Sequence, residues 1–88
     1  MILVVTYDLK QPAASYSGLY EVLKSKQSWW HYMNSTWLVA TNDSPQELFD
    51  EIEFYIQKGD HILITTFSRP IQGMLPPKAW EWIRKHEH

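Results

Sequence analysis

The chain has no cysteine and only three glycines among its 88 residues. Without cysteine there can be no disulfide, no thiolate nucleophile and no cysteine-held zinc. That fits a reducing compartment, and a cytoplasmic protein is expected. Gly18, Gly59 and Gly73 stand apart, so no glycine-rich phosphate loop can form. Apolar runs reach about five residues, against the roughly 20 that a membrane helix needs. A basic segment, a long apolar stretch and a small-residue cleavage site are all missing at the start, so no secretory leader is expected. With a net charge of −2, the chain as a whole has no general attraction for nucleic acid.

Aromatic residues are abundant. Five Trp, five Tyr and three Phe make 15% of the chain. A domain this small can use large rings to fill its core, and exposed rings can stack on bases or on a second subunit. The length suits one domain with one core, its body over about residues 1–68 and a tail over about 69–88. Charge is polarised. Lys10, Lys24 and Lys26 lie early, whereas Asp43, Glu47, Asp50, Glu51 and Glu53 cluster in the middle. A phosphate-binding surface would lie near the first group; two ordinary solvated helix faces would give the same pattern.

Met1-Ile2-Leu3-Val4-Val5-Thr6-Tyr7-Asp8-Leu9 is an apolar, β-branched run closing on a carboxylate, and it predicts a strand over Ile2 to Tyr7. Pro12 marks a loop. Ser15 is the expected N-cap of a helix to about Lys26, in which Tyr16, Leu19, Tyr20 and Leu23 form an apolar stripe. Ser28 to Thr41 reads as a hairpin turning at Asn34-Ser35. Strict alternation puts Trp29, His31 and Met33 on one face of its first arm, and Trp30 and Tyr32 on the other. Ser44-Pro45-Gln46-Glu47 is a capping box with proline at the first helical position. Leu48, Ile52, Tyr55 and Ile56 are its expected buried stripe, and Gly59 the expected stop. His61 to Phe67 is a strand, with Ile62 and Ile64 facing away from Leu63 and Phe67. Pro77 opens a short last helix to about Lys85, in which Trp80 and Ile83 share a face. The order is β-α-β-β-α-β plus a tail, which predicts an α+β, ferredoxin-like domain. Right-handed crossovers would place both helices on one face of a four-stranded antiparallel sheet and leave the other face bare.

Asp8 is the first candidate for chemistry, because a carboxylate at a strand end stands where a rigid sheet meets solvent. One carboxylate rarely holds a divalent cation alone, since magnesium prefers several oxygen ligands. A two-fold dimer apposing two Asp8 side chains would double the count and could activate water for phosphodiester attack. An Asp at a strand end also serves as a turn former. His31 is a candidate base or ligand with no evident partner, and His86 and His88 read as a solvated pair. Trp29, Trp30 and Trp37 are candidates for core packing or a subunit interface, with base stacking as a further use. No nucleophile elbow and no zinc, kinase or metalloprotease motif occurs.

Several of these segments carry a family resemblance. They are Val5-Thr6-Tyr7-Asp8-Leu9, Tyr16-Ser17-Gly18-Leu19-Tyr20, Trp29-Trp30 and Ser35-Thr36-Trp37-Leu38-Val39. Over about the first 67 residues the chain resembles the small ferredoxin-like proteins of the second CRISPR-associated family and the related virulence-associated protein D ribonucleases. It looks closer still to small proteins labelled SinR-family. The resemblance implies a homodimer with Asp8 near the two-fold axis, and metal-dependent cleavage of RNA or DNA with magnesium at Asp8. Tyr7 and Lys10 would then contact substrate phosphate. Those relatives commonly carry an arginine early in the first helix; Ser15 to Gln27 contains none. A non-catalytic interaction module, binding its own twin or another protein through an aromatic sheet face, is the alternative.

Overall fold

A computed structural model describes residues 1–87. Four strands, β1 (Ile2–Asp8), β2 (Ser28–Met33), β3 (Thr36–Ala40) and β4 (His61–Phe67), alternate with helices α1 (Ser17–Lys24) and α2 (Pro45–Ile52). A third helix, α3 (Pro77–His86), follows. The strands form one antiparallel sheet in the order β2-β3-β1-β4. The crossover through α1 thus skips over β3, and the crossover through α2 skips over β1. The result is an α+β architecture with β1 and β3 in the centre and β2 and β4 as outer strands.

Alternation along the central strands divides the apolar residues between two cores. Leu3 and Val5 of β1 and Trp37 and Val39 of β3 face α1 and α2, where they bury Leu19, Leu23, Leu48 and Ile52. Ile62 and Ile64 pack against this core from β4. On the other face, Ile2, Trp30 and Leu38 pack against Ala79 and Ile83 of α3. The expected bare face is therefore partly covered. The tail caps its own sheet, because Ala79 and Ile83 lie one helical turn apart and meet the apolar residues of β1 and β3 directly.

The α2 start follows its sequence signature. Ser44 Oγ accepts from the Glu47 amide at 3.1 Å, and Glu47 Oε1 accepts from the Ser44 amide at 2.8 Å. The α1 start does not. Ala13–Tyr16 form a 3-10 turn, and Ser15 caps nothing. Its amide instead donates to the Pro12 carbonyl at 2.9 Å. The other end stops short of Lys26, because the Ser25 hydroxyl turns back onto the Val22 carbonyl at 2.6 Å and competes with the helix ladder. The α2 segment tightens into a 3-10 turn over Glu53–Tyr55 before the chain reaches Gly59, whose φ of 91° sits in a separate turn.

The hairpin also departs from strict alternation. Trp30 pairs with Leu38 but Met33 pairs with Thr36, so His31 and Tyr32 together oppose Trp37. This is a β-bulge. It returns Met33 to the face of Trp30 and Tyr32, where all three line one groove, instead of the face of Trp29. Among the described residues no helix is long and apolar enough to cross a membrane.

Candidate functional site

Asp8 ends β1 directly opposite His61, the first residue of β4. Paired positions on neighbouring antiparallel strands point to the same side of the sheet, with Cβ atoms roughly 5 Å apart. The carboxylate and the imidazole therefore share one corner, on the α3 side of the sheet. Both residues are exposed. They line a shallow depression of about 310 Å³ with Thr6 and Leu63. A carboxylate beside an imidazole can orient the ring, an arrangement that acid–base chemistry uses.

Lys10 lies beside this corner, and its position has a definite cause. Its amide donates to Asp60 Oδ1 at 2.8 Å. Asp60 also accepts from the Gln57 amide at 2.8 Å and from the Tyr16 hydroxyl, which lies 2.8 Å from both carboxylate oxygens. Burial pushes the Asp60 carboxyl up. The Lys10 and Gln57 amides, the Tyr16 hydroxyl and the charge of His61 outweigh it and hold the group below the usual carboxylate value. Burial raises the Tyr16 hydroxyl, with the Gln11 amide opposing and Asp60 adding to the rise. Asp60 is thus the clamp that ties the β1 exit, the start of α1 and the β4 entry into one corner. Sequence reasoning missed it, because its partners stand up to 50 residues away. The only local signal was an Asp following Gly59 at a turn.

Tyr7 faces the other way. Its hydroxyl accepts from Trp37 Nε1 at 3.0 Å, within a ring cluster on the helix side of the sheet. Tyr20 stacks on Trp37 with centroids 6.0 Å apart, and His31 stacks on Trp37 at 4.0 Å. Burial first, and the adjoining Tyr7 second, push the Tyr20 hydroxyl up to about 12. The structure therefore brings Asp8 and Lys10 to one corner with His61, and places Tyr7 across the sheet from Asp8. His31 is held by stacking and by its Nε2, 3.3 Å from the Asn34 carbonyl oxygen. His86 Nδ1 lies 2.9 Å from the Trp82 carbonyl oxygen; His88 lies outside the described residues. Of the three candidate interface rings, Trp30 and Trp37 are buried in the chain's own two cores, and Trp29 is 40% exposed.

The early lysines are not equivalent. Lys26 binds Asp43 at 2.9 Å and also Glu51, so it is spent on joining the end of α1 to α2. Burial works against its charge, but the two carboxylates prevail and raise its pKa; Lys26 in turn holds Asp43 low. Lys24 is in no ion pair among the described residues, and its Nζ sits 5.5 Å from the Trp29 ring centroid.

Among the described residues no group of three His, Asp or Glu side chains is placed to hold a metal ion. Asp8 and His61 offer two donors, and magnesium demands more oxygen ligands than one carboxylate supplies. No family model matches the chain, and neither does any curated protein or solved structure.

Proposed function

We propose that this is a nucleic-acid-associated protein of ferredoxin-like build that acts as a homodimer, with Asp8 at the centre of any cleavage chemistry. The observation that carries the reading is the corner itself. Asp8, in register with His61 and flanked by Lys10, is an exposed carboxylate on a rigid strand end with no hydrogen bond or ion pair among the described residues. A structural turn-former would spend its oxygens on nearby amides, and here Asp60 does that work instead. Strand order, antiparallel pairing and the two crossovers support the ferredoxin-like arrangement. The resemblance to the second CRISPR-associated family and to virulence-associated protein D supports the dimer. In this reading a divalent cation such as magnesium would need the Asp8 carboxylate of a second copy as well. A cytoplasmic site of action belongs to the same reading.

The test is cleavage of single-stranded RNA and duplex DNA with and without magnesium, with Asp8→Ala purified identically and oligomeric state measured by light scattering. Loss of cleavage in a dimeric Asp8→Ala supports the reading. Equal activity in both proteins removes Asp8 from the chemistry.

One observation favours the alternative, a non-catalytic interaction module. Beside α3 the sheet keeps an apolar groove of about 470 Å³. Tyr32 and Met33 stand exposed on its wall and Met74 on its rim. No cleavage under any divalent metal, together with self-association lost in Met33→Glu, would put that module ahead.

A further inference from the structure

We infer that the outer edge of β2 is a track for single-stranded nucleic acid, in which Trp29 and Tyr32 stack on bases while Lys24, Lys78 and Lys85 hold phosphates. This rests on the nucleic-acid reading above and specifies which form is bound and where.

Three shallow depressions carry the inference, because they share walls. One lies on the α1 side and is lined by Lys24, Trp29 and His31. The second wraps the strand edge and shares Trp29 and His31, adding Tyr32, Lys78 and Trp82. The third, on the α3 side, shares Lys78 and Trp82 and adds Lys85. Together they form one continuous path around an outer strand. Among the described residues no other strand pairs along that side of β2.

The rings on this path present usable faces. Tyr32 is 74% exposed, a state that core packing does not explain. The bulge accounts for its presence here, since the extra residue sends His31 and Tyr32 to opposite sides of a single partner, Trp37. Trp29 is flanked by Trp37, with centroids 5.3 Å apart, and by Lys24 Nζ over its ring, and still keeps 40% of its surface exposed. Trp82 is fixed by its indole N–H, which donates to Ser28 Oγ at 2.8 Å, so α3 and β2 keep a constant separation. Prepositioned aromatic faces bind unpaired bases in a sequence-tolerant way; a duplex offers no free base faces.

Charge points to the same occupant. Lys24, Lys78 and Lys85 are in no ion pair among the described residues, unlike Lys26 and Arg69. Among those residues Glu81 is the one acidic side chain lining the path. Of the acidic cluster, Asp43 and Glu51 are taken up by Lys26, and α2 packs beside β4 whereas α1 packs beside β2. The net charge of −2 thus conceals an edge with an excess of lysine. Alternating lysines and rings are the pattern of single-strand binders.

The experiment is fluorescence anisotropy with labelled oligouridylate, oligothymidylate and a DNA duplex, over a salt series. The single strands are expected to bind more tightly than the duplex. Trp29→Ala and Tyr32→Ala should each weaken binding by roughly tenfold. Trp29 and Tyr32 each touch a core tryptophan, Trp37 and Trp30, and the far greater exposure of Tyr32 makes Tyr32→Ala the milder change for the core. Replacing Lys24, Lys78 and Lys85 together by Gln should flatten the log–log salt dependence by about two, at about 0.7 for each phosphate left without its lysine. Tight single-strand binding that survives all the track variants, or a preference for duplex, overturns the track and leaves the nucleic-acid reading standing. No binding to any of the three probes at low salt overturns both. If Tyr32→Ala abolishes self-association and no probe binds, the edge belongs to a second copy of the chain.

Discussion

The two faces of the sheet are built from the same strands and finished differently. On the face of α1 and α2, every inward residue of the central strands meets a helix, and the core closes around Leu3, Val5, Trp37, Leu19, Leu23, Leu48 and Ile52. On the face of α3, one helix supplies Ala79 and Ile83, and the sheet beyond it opens into the groove. The first face serves stability. The second spends apolar surface on openings, and the exposed Tyr32 ring and the Asp8 corner both border it. A small domain with two cores can keep one closed and leave the other available for binding.

Truncating one leucine or isoleucine in each core tests that contrast. Leu48→Ala leaves a void that neighbouring helices and strands cannot fill, and should cost about 3–5 kcal/mol. Ile83 shares its core with Trp30 and Leu38, which line the open groove, so Ile83→Ala leaves a void its neighbours can settle into and should cost about 2–3 kcal/mol. Urea unfolding of both variants checks this. Equal losses would mean that the two faces are packed alike and that the groove confers no freedom to relax.

Gly18→Ala isolates one tight approach on the closed face. A Cβ at Gly18 would come 2.3 Å from Tyr55 Cε1, far inside van der Waals contact, so Ala should destabilise by about 1–3 kcal/mol even though it is the better helix former. Tyr55→Leu should recover much of that loss in a double-mutant cycle. Additive losses would show that the ring swings away at no cost.

The same pair of residues marks how far the sequence could be read. Gly18 reads locally as a helix weakness, whereas its reason is a ring 37 positions later in the chain. The capping box at Ser44, the stripe of Tyr16, Leu19 and Leu23, the hairpin and the strand ending at Asp8 were all legible, because each is written in neighbouring residues. The bulge at His31 and Tyr32, the clamp at Asp60 and the seat of α3 were not. Each depends on partners that meet only after the sheet has formed. The candidate site divides in the same way. Asp8 and Lys10 were visible as neighbours of one strand end, but His61 joins them only through the β1–β4 register.

Between the two helices of the closed face, Lys26→Met removes an ion pair with Asp43 and Glu51 while keeping the apolar stem. The lysine is only slightly exposed, and its loss strands Asp43. A cost of about 1.5–3 kcal/mol is expected, read as a lower urea midpoint with an unchanged denaturant slope. Ser44→Ala, at the start of α2, should cost about 1 kcal/mol. If Lys26→Met costs less than Ser44→Ala, the junction of α1 and α2 is held by Leu23 and Leu48 and not by charge.

The smallest effect is the one that reaches the open corner. Asp43 and Asp60 are both held below the usual carboxylate value in the folded chain. The folded state therefore binds fewer protons than the unfolded chain in the acid range. Their contribution to stability is complete above the ordinary carboxylate pKa and is lost as pH falls through the lowered folded values. Lys26 has the opposite sense: its raised pKa gives a contribution complete below the ordinary lysine value and lost as pH rises through the folded one. Urea midpoints measured from neutral pH downward should fall for the native chain. Asp60→Asn should flatten part of that fall and Asp43→Asn another part. The two substitutions also separate the regions. Asp43→Asn should leave the amide shifts of Lys10 and His61 in place, since its partner is Lys26. Asp60→Asn should move both, because its carboxylate accepts the Lys10 amide and precedes His61 in the chain. If Asp60→Asn leaves Lys10 and His61 unmoved, the corner that presents Asp8 is held by the strand register alone.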